Sequence, residues 1–394
     1  MGYNINMADK PVVFVFSSFY EPMVGGAEIA VKEIISRTAQ DFEFHIITHR
    51  LNFNLPGEEN YAVGNDTVFI HRLGFGTSPD RMFLFPFLAA RKGFALTKEF
   101  KDRKKLLWGV MVSYASVGAF FVKIFKKNIP FLLTIQEGDG EWNVKAKNFG
   151  LSALWWKLLL KKANHVTAIS NYLEQIVKEK GYRGTVEIIP NGVDERLLLI
   201  PRPEFPGEKV IFSSSRLVKK NALEVLLKAA ARLKSDFSAQ GGPASGWKVI
   251  IAGDGPEKKS LAEFSEALGL KDRVEFLGHV PYENLIKLYS GADIFVRPSR
   301  SEGLGSAFLE AMAAGLITIG TPVGGITDYL WEGRTGFLAI PDNVDSLVEA
   351  IRTALVLAPS RKAQIIGNAR ALIRTKYLWS DVASKTKNVF IKLL

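Results

Sequence analysis

The chain has 394 residues, 47% of them apolar, with 51 Lys or Arg against 40 Asp or Glu for a net charge of +11, and no cysteine. That length exceeds what one hydrophobic core usually supports, so two domains are expected. The lack of cysteine excludes disulfides and thiolate metal sites, and the five histidines show no HExxH-type spacing, so neither a bound metal nor a resident cofactor is expected.

From the N-terminus, MGYNINMADK lacks the basic segment, apolar core and small-residue cleavage site of a secretory signal, which implies a cytoplasmic protein. PVVFVFSS (11–18) then reads as an apolar strand, and Gly25 and Gly26 in GGAE open a helix. A strand, a glycine turn and a helix are the parts a phosphate site requires; the plainer alternative is a helix start in which Glu28 complements the dipole. FEFHIIT, TVFIHRL, LLWGVMV, IPFLLTI and HVTAIS continue as strands alternating with helical stretches, the pattern of a parallel sheet. The uncharged run Leu106 to Val122, 17 residues, is at the lower limit for a membrane span, but a strand followed by the helical pattern ASVGAFFVKIFKK accounts for it better. IPNGVD (189–194) reads as a turn in which Asn191 and Gly192 tolerate left-handed backbone. Pro201, Pro203 and Pro206 in RLLLIPRPEFPGE disfavour helix and central strand, which marks a linker.

The alternation resumes with KVIFSSS, WKVIIAG, VEFLGHV, ADIFVRPS, LITIGTP and GFLAI. The expected domains are therefore 1–195 and 208–375, followed by a terminal segment, 376–394. After KVIFSSS come Arg216 and Lys220, a guanidinium fork and a flexible ammonium able to neutralise a diphosphate leaving group; as lone surface cations they would do nothing. After ADIFVRPS comes SEGLGSAFLEAMAAG. If its helix begins near Ser306, the amides of Gly305, Ser306 and Ala307 lie at the positive end and can face a diphosphate, with Gly303, Leu304 and Gly305 bringing the backbone close. Glu310, one turn inside, can accept two ribose hydroxyls, and Glu302 on the preceding loop sits nearer a sugar. The competing reading gives Glu310 to the helix dipole and leaves Glu302 solvated. The glycines of IAGDGP and TPVGGI read as loop geometry.

With GGAE, IPNGVD, SRLVKKN, IAGDGP, FLGHV, SEGLGSAFLEAMAAG and TPVGGITDYLWEGRTGFL in this order and spacing, the chain from about Pro11 onward resembles glycosyltransferase family 4. The resemblance implies an α/β protein of GT-B fold, two doubly wound, Rossmann-like domains facing across a cleft, with the terminal segment crossing back onto the first. It implies a retaining, metal-independent enzyme that uses a nucleoside-diphosphate sugar as donor. Arg216 and Lys220 would then hold the donor phosphates, Glu310 the ribose and Glu302 the transferred sugar. Backbone around His279 and Val280 would meet the base, and Gly25 and Gly26 would close over the diphosphate.

One departure is that many family members carry a histidine after the strand matching IPFLLTI, where this chain has Gln136. An amide can hydrogen-bond a sugar hydroxyl but cannot shuttle a proton, so Glu137 or Asp139 is expected to orient or deprotonate the acceptor; the plainer alternative is a polar surface loop. The acceptor implied is a glycan, a lipid-linked sugar or a small molecule. Residues 81–162 hold 16 Lys or Arg against 5 Asp or Glu, interleaved with aromatics, which suits peripheral contact with an anionic membrane as well as it suits solvated helix faces. No nucleic-acid reader motif accompanies the charge. Two rival functions remain: a nucleotide-sugar epimerase of the same fold, and a non-catalytic module that binds a nucleotide sugar.

Overall fold

The computed structural model describes residues 10–22, 25–136, 151–201, 208–240 and 246–394. Contacts divide the chain into two units, Met1–Gly192 with Trp379–Leu394, and Val193–Leu378.

The first unit is built on eight strands: β1 (Val12–Phe16), β2 (Glu43–His49), β3 (Glu58–Val63), β4 (Asp66–Leu73), β5 (Lys105–Val110), β6 (Phe131–Ile135), β7 (His165–Ala168) and β8 (Val186–Ile188). They lie in the order β3-β4-β2-β1-β5-β6-β7-β8. All pairs are parallel except the β3–β4 hairpin, turned by Gly64 and Asn65. Parallel strands carry helices on both faces, which is why β1 is an unbroken apolar run with every residue buried. The helices are α1 (Gly26–Thr38), α2 (Ser78–Phe83), α3 (Phe85–Glu99), α4 (Tyr114–Phe125), α5 (Leu151–Lys162), α6 (Asn171–Glu179) and the last helix of the chain, Trp379–Leu393. That last helix completes the core: Phe390 packs edge-on against Phe42, ring centroids 5.4 Å apart, and against Trp108 at 5.2 Å. The uncharged run 106–122 divides between β5 and α4, and no helix among the described residues is long and apolar enough to cross a membrane.

The second unit has six strands, β9 (Lys209–Ser214), β10 (Trp247–Ala252), β11 (Val274–Gly278), β12 (Ile294–Val296), β13 (Ile317–Gly320) and β14 (Phe337–Leu338). Their order is β11-β10-β9-β12-β13-β14, all parallel. The helices are α7 (Leu223–Gln240), α8 (Lys258–Ala267), α9 (Tyr282–Gly291), α10 (Ser306–Ala314), α11 (Val344–Leu355) and α12 (Pro359–Lys376). Counted from β9 this is the doubly wound order 3-2-1-4-5-6, whose winding reverses between β9 and β12. The loops leaving these two neighbours diverge, so a ligand crevice forms at their carboxyl ends. The corresponding reversal in the first unit lies between β1 and β5.

Candidate active site

Every candidate residue of the second unit lies at a carboxyl end of its sheet. Arg216 and Lys220 follow β9, Glu302 to Glu310 follow its neighbour β12, and His279 and Val280 follow β11.

The loop after β9 is held from within. Leu217 is buried and its N–H donates to the Asp254 carbonyl at 2.9 Å, while Asn221 Nδ2 donates to the Arg216 carbonyl at 2.6 Å. Arg216 itself is exposed, and its guanidinium has no hydrogen-bond or ion-pair partner among the described residues. Lys220 is half-buried in the 3-10 turn Lys219–Asn221. That turn is tied to the loop after β12 by Arg300. The Arg300 N–H donates to the Lys220 carbonyl at 2.7 Å, and its guanidinium reaches the Lys219 carbonyl, Glu224 and Asp342. Arg300 is a positioning residue that sequence reading missed, because its partners lie 42 to 81 residues away.

The loop after β12 ends in α10, which begins at Ser306 with Gly305 as its cap. Gly305 has φ +81°, a left-handed value that favours glycine, and so the chain can turn sharply into the helix. The helix start therefore presents the amides of Ser306 and Ala307 at its positive end, where an anion is stabilised. Leu304 is buried, and its carbonyl accepts from the Tyr329 hydroxyl at 2.6 Å. Glu310 is half-buried; its Oε2 accepts from the Tyr289 hydroxyl at 2.8 Å, which in turn lies 3.0 Å from Ser214 Oγ at the end of β9. Burial pushes the Glu310 carboxyl up to about 7, against the opposing pull of the Tyr289 hydrogen bond and of Arg297.

Glu302 is not a solvated loop acid. It is buried, and its Oε1 accepts from Arg297 Nη2 at 2.6 Å and from Ser299 Oγ at 2.9 Å. Arg297 was also missed by sequence reading; the signal available was a lone cation ending an otherwise apolar strand, with an acid five residues on. The Gly324 and Gly325 turn buttresses Glu302 from behind, and the Gly325 N–H donates to the Glu302 carbonyl at 3.2 Å. A Cβ on Gly324 would lie 1.8 Å from that carbonyl oxygen, so no larger residue fits the turn as built. His279 is exposed and Val280 half-buried just past β11, beside the hydrogen bond from the Gly253 N–H to the Gly278 carbonyl, 2.7 Å.

In the first unit, Gly25 and Gly26 are exposed at the start of α1, and the Glu28 carboxylate accepts the Gly25 N–H at 2.9 Å. Gln136 follows β6, and its Oε1 accepts from Asn191 Nδ2 at 3.2 Å. A Cβ on Gly26 would lie 3.9 Å from the same Asn191 nitrogen, so these three residues stand together. This corrects the reading of Asn191 and Gly192 as a left-handed turn: neither has a positive φ, Asn191 is buried and bonded to Gln136, and Gly192 packs against Trp379. Glu137 and Asp139 lie outside the described residues, as do 202–207, which hold two of the three prolines read as the linker.

Two doubly wound parallel-sheet units in one chain, with the candidate residues gathered at the carboxyl ends of the strands, define the GT-B class of fold. The family model for glycosyltransferase family 4 matches residues 24–197, and that for glycosyl transferases group 1 matches residues 199–371. The chain belongs to this family of glycosyltransferases. It is 31% identical over 211 residues to a phosphatidylinositol N-acetylglucosaminyltransferase subunit of Arabidopsis thaliana, covering 53% of this chain and 44% of that one. The matches to the first of its curated relatives span half or less of their lengths. Among solved structures, the sucrose-phosphate synthase of Thermosynechococcus elongatus superimposes with a TM-score of 0.80 at 19% identity, covering 98% of this chain and 99% of that one. HepE of Anabaena, in complex with UDP-glucose, superimposes with a TM-score of 0.73 at 18% identity, covering 97% and 99%.

Proposed function

We propose that the protein transfers a hexosyl unit from a nucleoside-diphosphate sugar to an acceptor hydroxyl, with retention of configuration and without a metal. One observation carries this reading: at the reversal between β9 and β12, a loop bearing Arg216 and Lys220 adjoins a glycine-capped helix mouth with Glu310 one turn inside. The two cations suit a diphosphate, the helix mouth adds fixed N–H dipoles, and Glu310 suits a ribose diol. The UDP-glucose complex of HepE, a protein of the same fold, is consistent with such a donor. In a retaining transfer the leaving diphosphate helps to deprotonate the acceptor, so the protein chiefly positions reactants and stabilises negative charge. Thermal-shift titration with UDP, GDP and ADP identifies the base, since a ligand bound only by the native state raises its melting temperature. With the matching labelled sugar donor, Arg216→Ala and Lys220→Ala should each lower turnover by ~100- to 1000-fold, as for loss of one oxyanion donor. Near-normal turnover in both variants refutes the assignment. A product that is an isomerised nucleotide sugar, or a donor left intact, would favour the epimerase or the binding module.

The acceptor is proposed to be a lipid-linked sugar or other glycolipid at the cytoplasmic face of a membrane. Phe83, Phe87 and Phe125, on α2, α3 and α4, are 68%, 61% and 73% exposed, and the segment that carries them holds the basic excess. Exposed aromatics among cations match an anionic bilayer surface. The relative named for phosphatidylinositol supports the same reading. Co-sedimentation with anionic but not neutral vesicles at low salt is the expected result, and no binding to either returns these helices to plain solvation.

A further inference from the structure

We infer that Arg297 positions Glu302 for the transferred sugar, fixing its carboxylate so that Oε2 alone remains to accept one hydroxyl of the donor hexose. The inference rests on the donor-site reading above. Arg297 is buried at the end of β12, and its planar guanidinium is engaged on three sides. Nη1 donates to the Ser214 carbonyl at 3.1 Å, Nε to Ser299 Oγ at 3.2 Å and Nη2 to Glu302 Oε1 at 2.6 Å. The guanidinium carbon lies 4.7 Å from the centroid of Phe308 in the first turn of α10, and a Cβ on Gly305 would come within 3.4 Å of Nη2. The group is thus boxed between the end of β9 and the mouth of α10 and cannot swing without breaking these contacts. Ser299 Oγ, itself held by Arg297, supplies the second donor to Glu302 Oε1, at 2.9 Å.

Glu302 Oε1 therefore faces two fixed donors, while Oε2 has no hydrogen-bond partner among the described residues. A carboxylate held in this way offers one acceptor oxygen in a set direction. A flexible surface glutamate would offer either oxygen in many directions. Stability alone is a weak reason for such a pair, because apolar residues of similar volume often replace buried ion pairs without loss. Positioning is the stronger reason, since a misplacement of ~1 Å at a reacting centre costs on the order of 100-fold in rate.

The test compares wild type, R297M, R297K, S299A, E302Q and R297M/E302Q. Calorimetric titration measures affinity for UDP, GDP and ADP and for UDP-glucose, GDP-mannose and ADP-glucose, and steady-state donor hydrolysis gives kcat and KM. For the base that binds, R297M should lose on the order of 100-fold in kcat and lose the preference for the sugar conjugate over the bare diphosphate. Its affinity for the bare diphosphate should stay within about threefold, the signature of an interaction made with the sugar and not the nucleotide. R297K and S299A should retain part of the preference, and the double variant should be no worse than E302Q, because the two residues act as one unit. R297M with wild-type kcat and preference, or with bare-diphosphate affinity falling in step with that for the conjugate, overturns the inference. If R297M does not fold, an unchanged preference in both R297K and S299A overturns it instead. Wild type that binds none of the three diphosphates overturns the donor-site reading itself, and the inference falls with it.

Discussion

On the proposed reading of the donor site, Glu310 ties donor affinity to pH. Its carboxyl titrates near 7 because burial disfavours the charge, with Asp194 adding to the rise, while the Tyr289 hydroxyl and Arg297 favour the ionised form. Above that pH the carboxylate is an acceptor only and can take both ribose hydroxyls; below it the added proton turns one oxygen into a competing donor. Affinity for the nucleoside diphosphate should therefore fall as pH drops through about 7, by roughly tenfold per pH unit if only the ionised form binds. Tyr289→Phe removes a hydrogen bond that favours the ionised form and should move the inflection upward. Calorimetric titration between acid and alkaline limits reads both, and a flat profile would remove Glu310 from the ribose. Gly324 makes a second residue-scale prediction. Its φ is +53° and any Cβ would collide with the Glu302 carbonyl, so Gly324→Ala should lower the melting temperature by several degrees and turnover with it. Glu302, Glu310, Arg216 and Lys220 were selectable from the sequence because each stands in a short motif at a strand end. Arg297, Arg300 and Tyr289 were not, because their roles depend on partners brought close only by the parallel sheet; Tyr289, for instance, reaches Ser214 75 residues back.

Elements that must be buried on both faces announce themselves as apolar runs, which is why the central strands of both sheets were readable. The two strands that went unread are peripheral. β3, EENYAV, is an exposed antiparallel edge strand whose acids suit solvent and discourage further pairing, and β8 has only three residues. The Gly-Asn loop between β3 and β4 was a usable hairpin signal. The last helix shows how an element distant in sequence can be integral to a core. Trp379, Val382, Val389 and Phe390 are buried with residues of β1, β2 and β5 in one cluster, and Phe390 is fully enclosed. Phe390→Ala should destabilise the first unit by about 3–5 kcal/mol, as for other large aromatic truncations in close-packed cores. Chemical denaturation should show this loss in the unit holding β1, whereas Ile391→Ala, at a side chain 55% exposed, should change little.

At the scale of the molecule, the two units should respond differently to acid. In the first unit a chain of partners runs from Arg103 through the buried Glu43, His45 and His71 to Glu58 and Lys92 at the surface, beside a cavity of about 490 Å³. Burial lowers His71 to about 4, although Glu58 pulls the other way. Burial would raise Glu43, but hydrogen bonds from His45 and Arg103 outweigh it and hold its carboxyl below the usual range. As pH falls from about 6.5 toward 4, the unfolded chain binds a proton at His71 that the native state refuses, so stability declines across that window. The depressed Glu43 adds a further loss at lower pH, when its native carboxylate is finally protonated. In the second unit the sign reverses at Glu310, whose raised pKa lets the native state bind a proton between about 7 and 4.5 and gain stability there. The lowered Asp254 and Asp272 of that unit are exposed, and solvent screens their contribution. Acid should therefore loosen the first unit before the second. Hydrogen exchange at pH 7 and pH 4.5 would show it, with protection in β2 and β4 falling well ahead of that in β9 and β12. A His71→Gln variant, which has no imidazole to titrate, should narrow the gap, and equal loss of protection in the two sheets would remove this network as the cause.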